Sequence, residues 1–237
     1  ERNVRPCTLP ASLADAAVCR GSFHAVLGGE AGEAVFADFS AALQKAQAEG
    51  RILTASLFRY ENHLFFYAEG LNRPFTPQGL CPALDAALLP WPPALGEAAP
   101  RPWAAMQPYF YHDVPTTAAD WQQGRCPQRR RGRIALLPPD SWCSYMEHHL
   151  RIVTEGLVEG DRWHLICVQE GVLFSYLEEP RTNVNIKHRP GAHSPELDAW
   201  IAADPESHFA RFTPEQKAHP DSGHNFVFLP RIAGTED

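Results

Sequence analysis

A chain of 237 residues can hold one large domain or two of about 100 residues each, and its 44% apolar and 21% charged content is ordinary for a globular protein. A formal charge of −7 argues against a dominant nucleic-acid surface, and no apolar run is long enough to span a bilayer. The six cysteines, Cys7, Cys19, Cys81, Cys126, Cys143 and Cys167, form no CxxC pair and fit no zinc-ribbon spacing; with no secretory leader visible, the expectation is a reducing cytoplasm, no metal and no disulfides.

In chain order, residues 1–21 read as an N-terminal arm. Phe23 to Leu27 reads as a strand, broken by Gly28-Gly29. From Glu33 to Glu49 apolar residues recur at Val35, Phe36, Phe39, Leu43 and Ala46, the spacing of a helix with one buried face, and Gly50 supplies a stop. Ile52–Tyr60 and Leu64–Tyr67 are rich in β-branched and aromatic residues around a turn at Glu61-Asn62, which predicts a hairpin. A Pro- and Gly-rich stretch encloses a short helical segment at Pro82–Ala86, and Tyr109–Val114 reads as a closing strand. Residues 116–131 read as a linker, with Arg129-Arg130-Arg131 as a solvated basic run.

The pattern then repeats. Gly132–Leu137 is a strand, and a helix capped by Asp140 or Ser141 runs to about Val158. Arg162–Val168 and Val172–Leu177 form a hairpin turning at Glu170-Gly171. After a loop from Pro180 to Ser194, one or two short helices fall between Leu197 and Phe212, and Asn225–Leu229 closes the sheet. Leu173-Phe174-Ser175-Tyr176-Leu177-Glu178 lies 109 positions after Leu64-Phe65-Phe66-Tyr67-Ala68-Glu69, and the same shift relates Leu136 to Leu27 and Tyr145 to Phe36. A constant offset across a helix and two strands indicates an internal duplication. The expected class is α+β: two fused ferredoxin-like β-α-β-β-α-β repeats, residues 22–115 and 132–237, forming an intramolecular dimeric α+β barrel.

The informative cluster is Tyr145-Met146-Glu147-His148-His149. Tyr145 and His149 are four apart and share a helix face, which sets a hydroxyl and an imidazole beside the apolar wall continued by Ile152 and Leu157. Histidine both gives and takes a proton near neutral pH, although a partly buried helix histidine with an ordinary hydrogen bond fits the spacing too. Trp163, Trp200, His208 and Phe209 add aromatic surface, and the polar loop Arg181–Arg189 is a second candidate wall or a plain connection. GxGxxG with a following acid, GxxxxGK[ST], GxSxG and HExxH are all absent.

The second repeat resembles the L-rhamnose mutarotase family of the dimeric α+β barrel superfamily. Tyr145-x-x-x-His149 matches that family's Tyr-x-x-x-His, Val172–Glu178 is similar to its Leu-Leu-Phe strand ending in an acid, and Trp200–Pro205 with His208-Phe209 falls where the family has a short helix and paired aromatics. The family's Trp-Pro after the histidine is missing, since the chain reads Leu150-Arg151-Ile152-Val153, and His208 replaces an aromatic. The resemblance implies anomer exchange of a monosaccharide such as L-rhamnose without cofactor or metal. His149 would be the proton carrier, Tyr145 its hydroxyl partner, and Trp200, His208, Phe209 and His148 the substrate contacts. The first repeat has Phe36 and Ser40 in place of Tyr145 and His149 and should lack that chemistry. Expected partners are therefore a small-molecule substrate and no nucleic acid or membrane, with a pseudo-dimer inside one chain. A non-catalytic ligand-binding module and a haem- or oxygenase-type barrel are the alternatives.

Overall fold

The computed structural model describes residues 9–181, 187–188, 190–213, 215 and 225–235. A short 3₁₀ turn, Ala11–Leu13, precedes the first strand. In chain order the first half contains β1 (Val18–Val26), α1 (Glu33–Ala48), β2 (Ile52–Tyr60), β3 (His63–Leu71), α2 (Pro82–Ala86), β4 (Ala104–Ala105), β5 (Gln107–Tyr111) and α3 (Ala118–Gln122). The second half contains β6 (Arg129–Leu136), α4 (Pro139–Glu155), β7 (Val158–Glu159), β8 (Leu165–Gln169), β9 (Val172–Glu179), β10 (Lys187–His188), α5 (Pro195–Ala202), a 3₁₀ turn at Pro205–His208, β11 (Val227–Leu229) and β12 (Arg231–Gly234). The class is α+β, with two antiparallel five-stranded sheets, and each repeat opens β-α-β-β as its spacing predicts.

The chain divides into two compact units built from interleaved segments. The first contains residues 1–106, 115–128 and 230–237, and its sheet runs β12-β2-β3-β1-β4. Phe36, Phe39, Leu43 and Ala46 on α1 are buried against Ala25, Ile52, Leu57, Leu64 and Phe66. Each fully buried side chain of the Leu or Phe kind contributes about 1.5–3 kcal/mol relative to exposure. The turn at Glu61, with φ 53, joins β2 to β3, and the pairing continues to Leu71, four residues beyond the expected strand end.

The second unit contains residues 107–114 and 129–229, and its sheet runs β11-β6-β9-β8-β5. Tyr145, His149 and Ile152 mark the buried stripe of α4, packed with Leu197 and Trp200 of α5 over Ala135, Ile166, Val168 and Leu173. Proline at the start of α4 leaves no helix hydrogen bond unmade, because the first N–H groups have no partner in any helix. Pro138, not Asp140 or Ser141, is the boundary residue, and Asp140 sits inside the first turn where its charge suits the helix dipole. The helix ends at Gly156, whose φ of 67 places it in the left-handed region and lets its N–H reach the Ile152 carbonyl. This stop falls short of the expected end near Val158, and Leu157 lies outside the helix.

Two expectations need correction. The strand at 107–111 exists but does not close the sheet of the first repeat. It pairs with β8, while two-residue β4 occupies the edge of β1. Reciprocally, β12 follows the last strand of the second repeat and pairs with β2. Tyr109 and Phe110 are buried in the core of the second unit, which is why the segment belongs there. The triple arginine is likewise not a solvated linker: Arg129–Arg131 opens β6. Arg130 and Arg131 are buried, ion-paired to Glu178 at 3.5 Å and Glu179 at 2.9 Å. Between the expected repeats, α3 buries Trp121 completely.

The duplication extends to buried polar pairs. Tyr67 donates to Glu69 at 2.6 Å, and Tyr176 donates to Glu178 at the same distance. Glu69 also receives Trp121 Nε1 at 3.0 Å and two Arg125 nitrogens at 2.7 and 3.0 Å. Burial, the largest single influence, would raise the Glu69 carboxyl; Arg125, Arg20 and the Tyr67 hydrogen bond together outweigh it and hold the group below the ordinary range.

Candidate functional site in the second unit

A cavity of about 350 Å³ opens in the second unit between the sheet, α4, α5 and the Pro205–His208 turn. That volume lies at the small end of the range for ligand pockets, about 300–1,000 Å³. Its walls are largely aromatic and aliphatic: Phe110, Tyr145, Ile166, Leu197, Trp200 and Phe209. Set among them are His112, His149, His164, Arg133, Arg181, Asp161 and Glu206.

His149 is enclosed by rings, with centroids 4.2 Å from Tyr145, 4.7 Å from Trp200 and 4.7 Å from Phe110. Its Nδ1 lies 2.9 Å from the Tyr145 carbonyl. A carbonyl only accepts, so Nδ1 carries the hydrogen and Nε2 presents a lone pair. Burial pushes the imidazole down to about 4, so the ring is neutral at pH 7. Tyr145 goes the other way: burial raises its hydroxyl to about 12, and it remains a proton-bearing group. The cavity is thus lined by a neutral imidazole and a protonated phenol from residues one helical turn apart.

The cations differ in their commitments. Arg181 Nε lies 3.4 Å from buried Asp161. Arg133, on β6, has its guanidinium carbon 4.2 Å above the Phe226 ring. Its Nε is enclosed without a hydrogen-bond partner, and no ion pair holds the group among the described residues. Burial and the nearby Arg181 lower it to about 10, which leaves it charged at neutral pH. Glu206 is exposed and hydrogen-bonded to the Asn225 amide. His112 is pushed down to about 4 by burial, and its ring lies where a side chain at Gly160 would stand: an added Cβ would sit 1.9 Å from Nε2. Among the described residues, no three His, Cys, Asp or Glu side chains converge as a metal site, and no helix is long and apolar enough to cross a membrane.

Of the six residues singled out from sequence, Tyr145, His149, Trp200 and Phe209 line this one cavity. His148 and His208 do not. They stack around Trp200, with ring centroids each 5.3 Å from it, and His208 Nε2 is 3.3 Å from Ser144 Oγ. In the polar loop, Arg181 reaches the cavity, while residues 182–186 and 189 lie outside the described residues. Sequence reasoning missed Arg133, His112, Asp161 and His164, which come from strands and turns. In the first unit, Ser40, the counterpart of His149, accepts from the Gly234 amide at 3.3 Å and so serves the attachment of β12.

No family model and no curated protein sequence matches the chain. Solved structures similar in extent include a presumed monooxygenase from Lactobacillus acidophilus NCFM, with 6% identity, TM-score 0.39, and coverage of 93% of this chain and 96% of that one. A presumed monooxygenase from Fusobacterium nucleatum subsp. nucleatum has 10% identity, TM-score 0.40 and coverage of 94% and 95%. An anthrone oxidase-like protein has 8% identity, TM-score 0.38 and coverage of 92% of each chain. Likeness at this level assigns no chemistry to this chain.

Proposed function

We propose that the second unit is a proton-transfer enzyme for a small organic molecule, with His149 Nε2 as the base and the Tyr145 hydroxyl as the acid or hydrogen-bond donor. The observation behind this reading is the tie from His149 Nδ1–H to the Tyr145 carbonyl in a ring that lines the cavity. It fixes the tautomer before substrate arrives, and preorganisation of this kind lowers the cost of reaching the transition state. Anomer exchange of a monosaccharide, implied by the family resemblance, is one reaction the pair can serve: the base takes the anomeric hydroxyl proton and the acid protonates the ring oxygen. The test is saturation-transfer NMR of anomer exchange with L-rhamnose, L-fucose and other aldoses. Exchange above the buffer rate that disappears in His149→Gln supports a mutarotase; full activity in His149→Gln removes His149 from the mechanism.

A second reading is an oxygenase, and the aromatic enclosure of His149 favours it. A ring held there would stack on Trp200 or Phe110 while His149 removes an acidic O–H or C–H proton, leaving an electron-rich anion for dioxygen to oxidise. Oxygen uptake with phenolic and enolisable ring compounds, measured with wild type and His149→Gln, separates the two readings.

A further inference from the structure

Two cations line the cavity, and among the described residues only one of them is ion-paired. Arg181 reaches buried Asp161. Arg133 faces the same space, braced on the Phe226 ring, with no ion pair or hydrogen bond among the described residues. Glu206, the other carboxylate of the lining, is exposed and engaged with Asn225; its charge favours the Arg133 cation through space, without an ion pair between them. His112 and His149 add no positive charge at pH 7, because both are held neutral by burial. Arg133 is half-buried with its Nε enclosed and unpaired, and an anionic guest would supply the partner that the described residues do not. The planar fork of the guanidinium matches two oxygens of one group. Phe110, Trp200, Phe209 and Phe226 supply aromatic surface to the same lining.

We infer that the cavity binds a planar organic oxyanion, with Arg133 receiving the charged oxygen and Trp200, Phe110 and Phe209 enclosing an aromatic body. The inference rests on the reading of this cavity as a proton-transfer site and narrows it to the second of the two readings, in which the substrate is a ring-bearing anion. Two sources supply the same chemistry. A carboxylate arrives ionised, whereas a phenol or enol is ionised in place as His149 Nε2 takes its proton. Either way the negative oxygen sits against Arg133, and in the second case the proton rests on the imidazole.

The experiment is calorimetric binding of 2-naphthoate, its uncharged isostere 2-naphthamide, and 2-naphthol to the full chain at neutral pH. The expected result is 2-naphthoate binding tighter than 2-naphthamide by about tenfold or more. Arg133→Met should abolish that preference while the amide still binds, and an unchanged circular dichroism spectrum shows that the variant is folded. Arg133→Lys should retain part of the preference. If 2-naphthol outbinds the amide and its bound ultraviolet spectrum is that of the naphtholate, with no net proton exchanged with the buffer, the anion is formed in place and its proton stays on the imidazole. If it binds as the amide does, the guest arrives as a carboxylate. Equal affinity of wild type for naphthoate and naphthamide, or no binding of either, overturns the inference. His149→Gln keeps the two ideas apart: it should bind naphthoate normally, so a lost turnover with intact charge preference counts for both, and intact turnover with intact preference counts against the base alone.

Discussion

The buried, neutral state of His149 has a consequence that needs no substrate to measure. Its proton affinity in the fold is about 4, against 6.5 for an unperturbed histidine. Between those values the unfolded chain binds the proton and the native chain does not, so stability rises with pH across the window. The stabilising effect of a neutral His149 is complete above pH 6.5 and is lost progressively as pH falls toward 4. The shift corresponds to roughly 3 kcal/mol at full protonation, a large share of the 5–15 kcal/mol typical of a domain. His112 is displaced in the same direction, also to about 4. The two penalties do not simply add, because His112 is among the groups that hold His149 down. Urea unfolding of wild type and His149→Gln at several pH values between about 7.5 and 4.5 tests this. The wild type should lose stability faster on acidification, by up to about 1.4 kcal/mol per pH unit, the slope for one proton. Nitrogen-15 spectra of the imidazoles should show His149 as the Nδ1–H tautomer and unprotonated at pH 5.5. Parallel pH profiles for the two proteins, or a His149 that titrates near 6.5, would refute the argument and with it the enclosed neutral base.

Further outcomes follow from single contacts. Trp200 packs 4.7 Å from His149, so Trp200→Ala should cost about 3–5 kcal/mol of unfolding free energy; by admitting water it should also move the His149 titration up toward 6.5, both visible in the same pH-dependent NMR and denaturation series. Glu69 and Arg125 form a fully buried pair at 2.7 Å, and Glu69→Gln should destabilise by about 3–5 kcal/mol in chemical denaturation because it strands the arginine. The double variant Glu69→Gln with Arg125→Met should recover part of that loss. Gly160→Ala must push the His112 ring aside, since its Cβ would stand 1.9 Å from Nε2; the His112 imidazole resonances should shift and ligand affinity fall, while a cavity untouched in a crystal structure of the variant would contradict the packing.

How much of this was legible in the sequence depends on whether a feature is carried by spacing within one element or by pairing between distant ones. The helix over 33–48 and both hairpins follow from local periodicity and turn residues; their turns fall where expected, while β8 starts at Leu165 rather than Arg162 and β3 runs on to Leu71. The offset of 109 between Tyr67-Ala68-Glu69 and Tyr176-Leu177-Glu178 even carries the repeated tyrosine–carboxylate bond. Helix spacing also brought Tyr145 and His149 to one face. His148 differs from His149 by one residue, or about 100° around the helix, enough to take its ring off the cavity and against His208 and Trp200. Strand partners are another matter. Nothing in Gln107–Tyr111 says that it pairs with β8 rather than β1, because alternation specifies faces, not neighbours. The triple arginine read as a solvated run because charge was counted without its partners; Glu178 and Glu179 lie some fifty residues on and become neighbours only when β6 pairs with β9. Arg133 belongs to the same strand, two residues beyond Arg131. Arg131 lies opposite Leu177 and reaches diagonally to Glu179, whereas Arg133 lies opposite Ser175 and has Leu177 at the same diagonal. That difference in position along one register leaves Arg133 without an ion pair among the described residues, and it was readable only once the pairing of β6 with β9 was known.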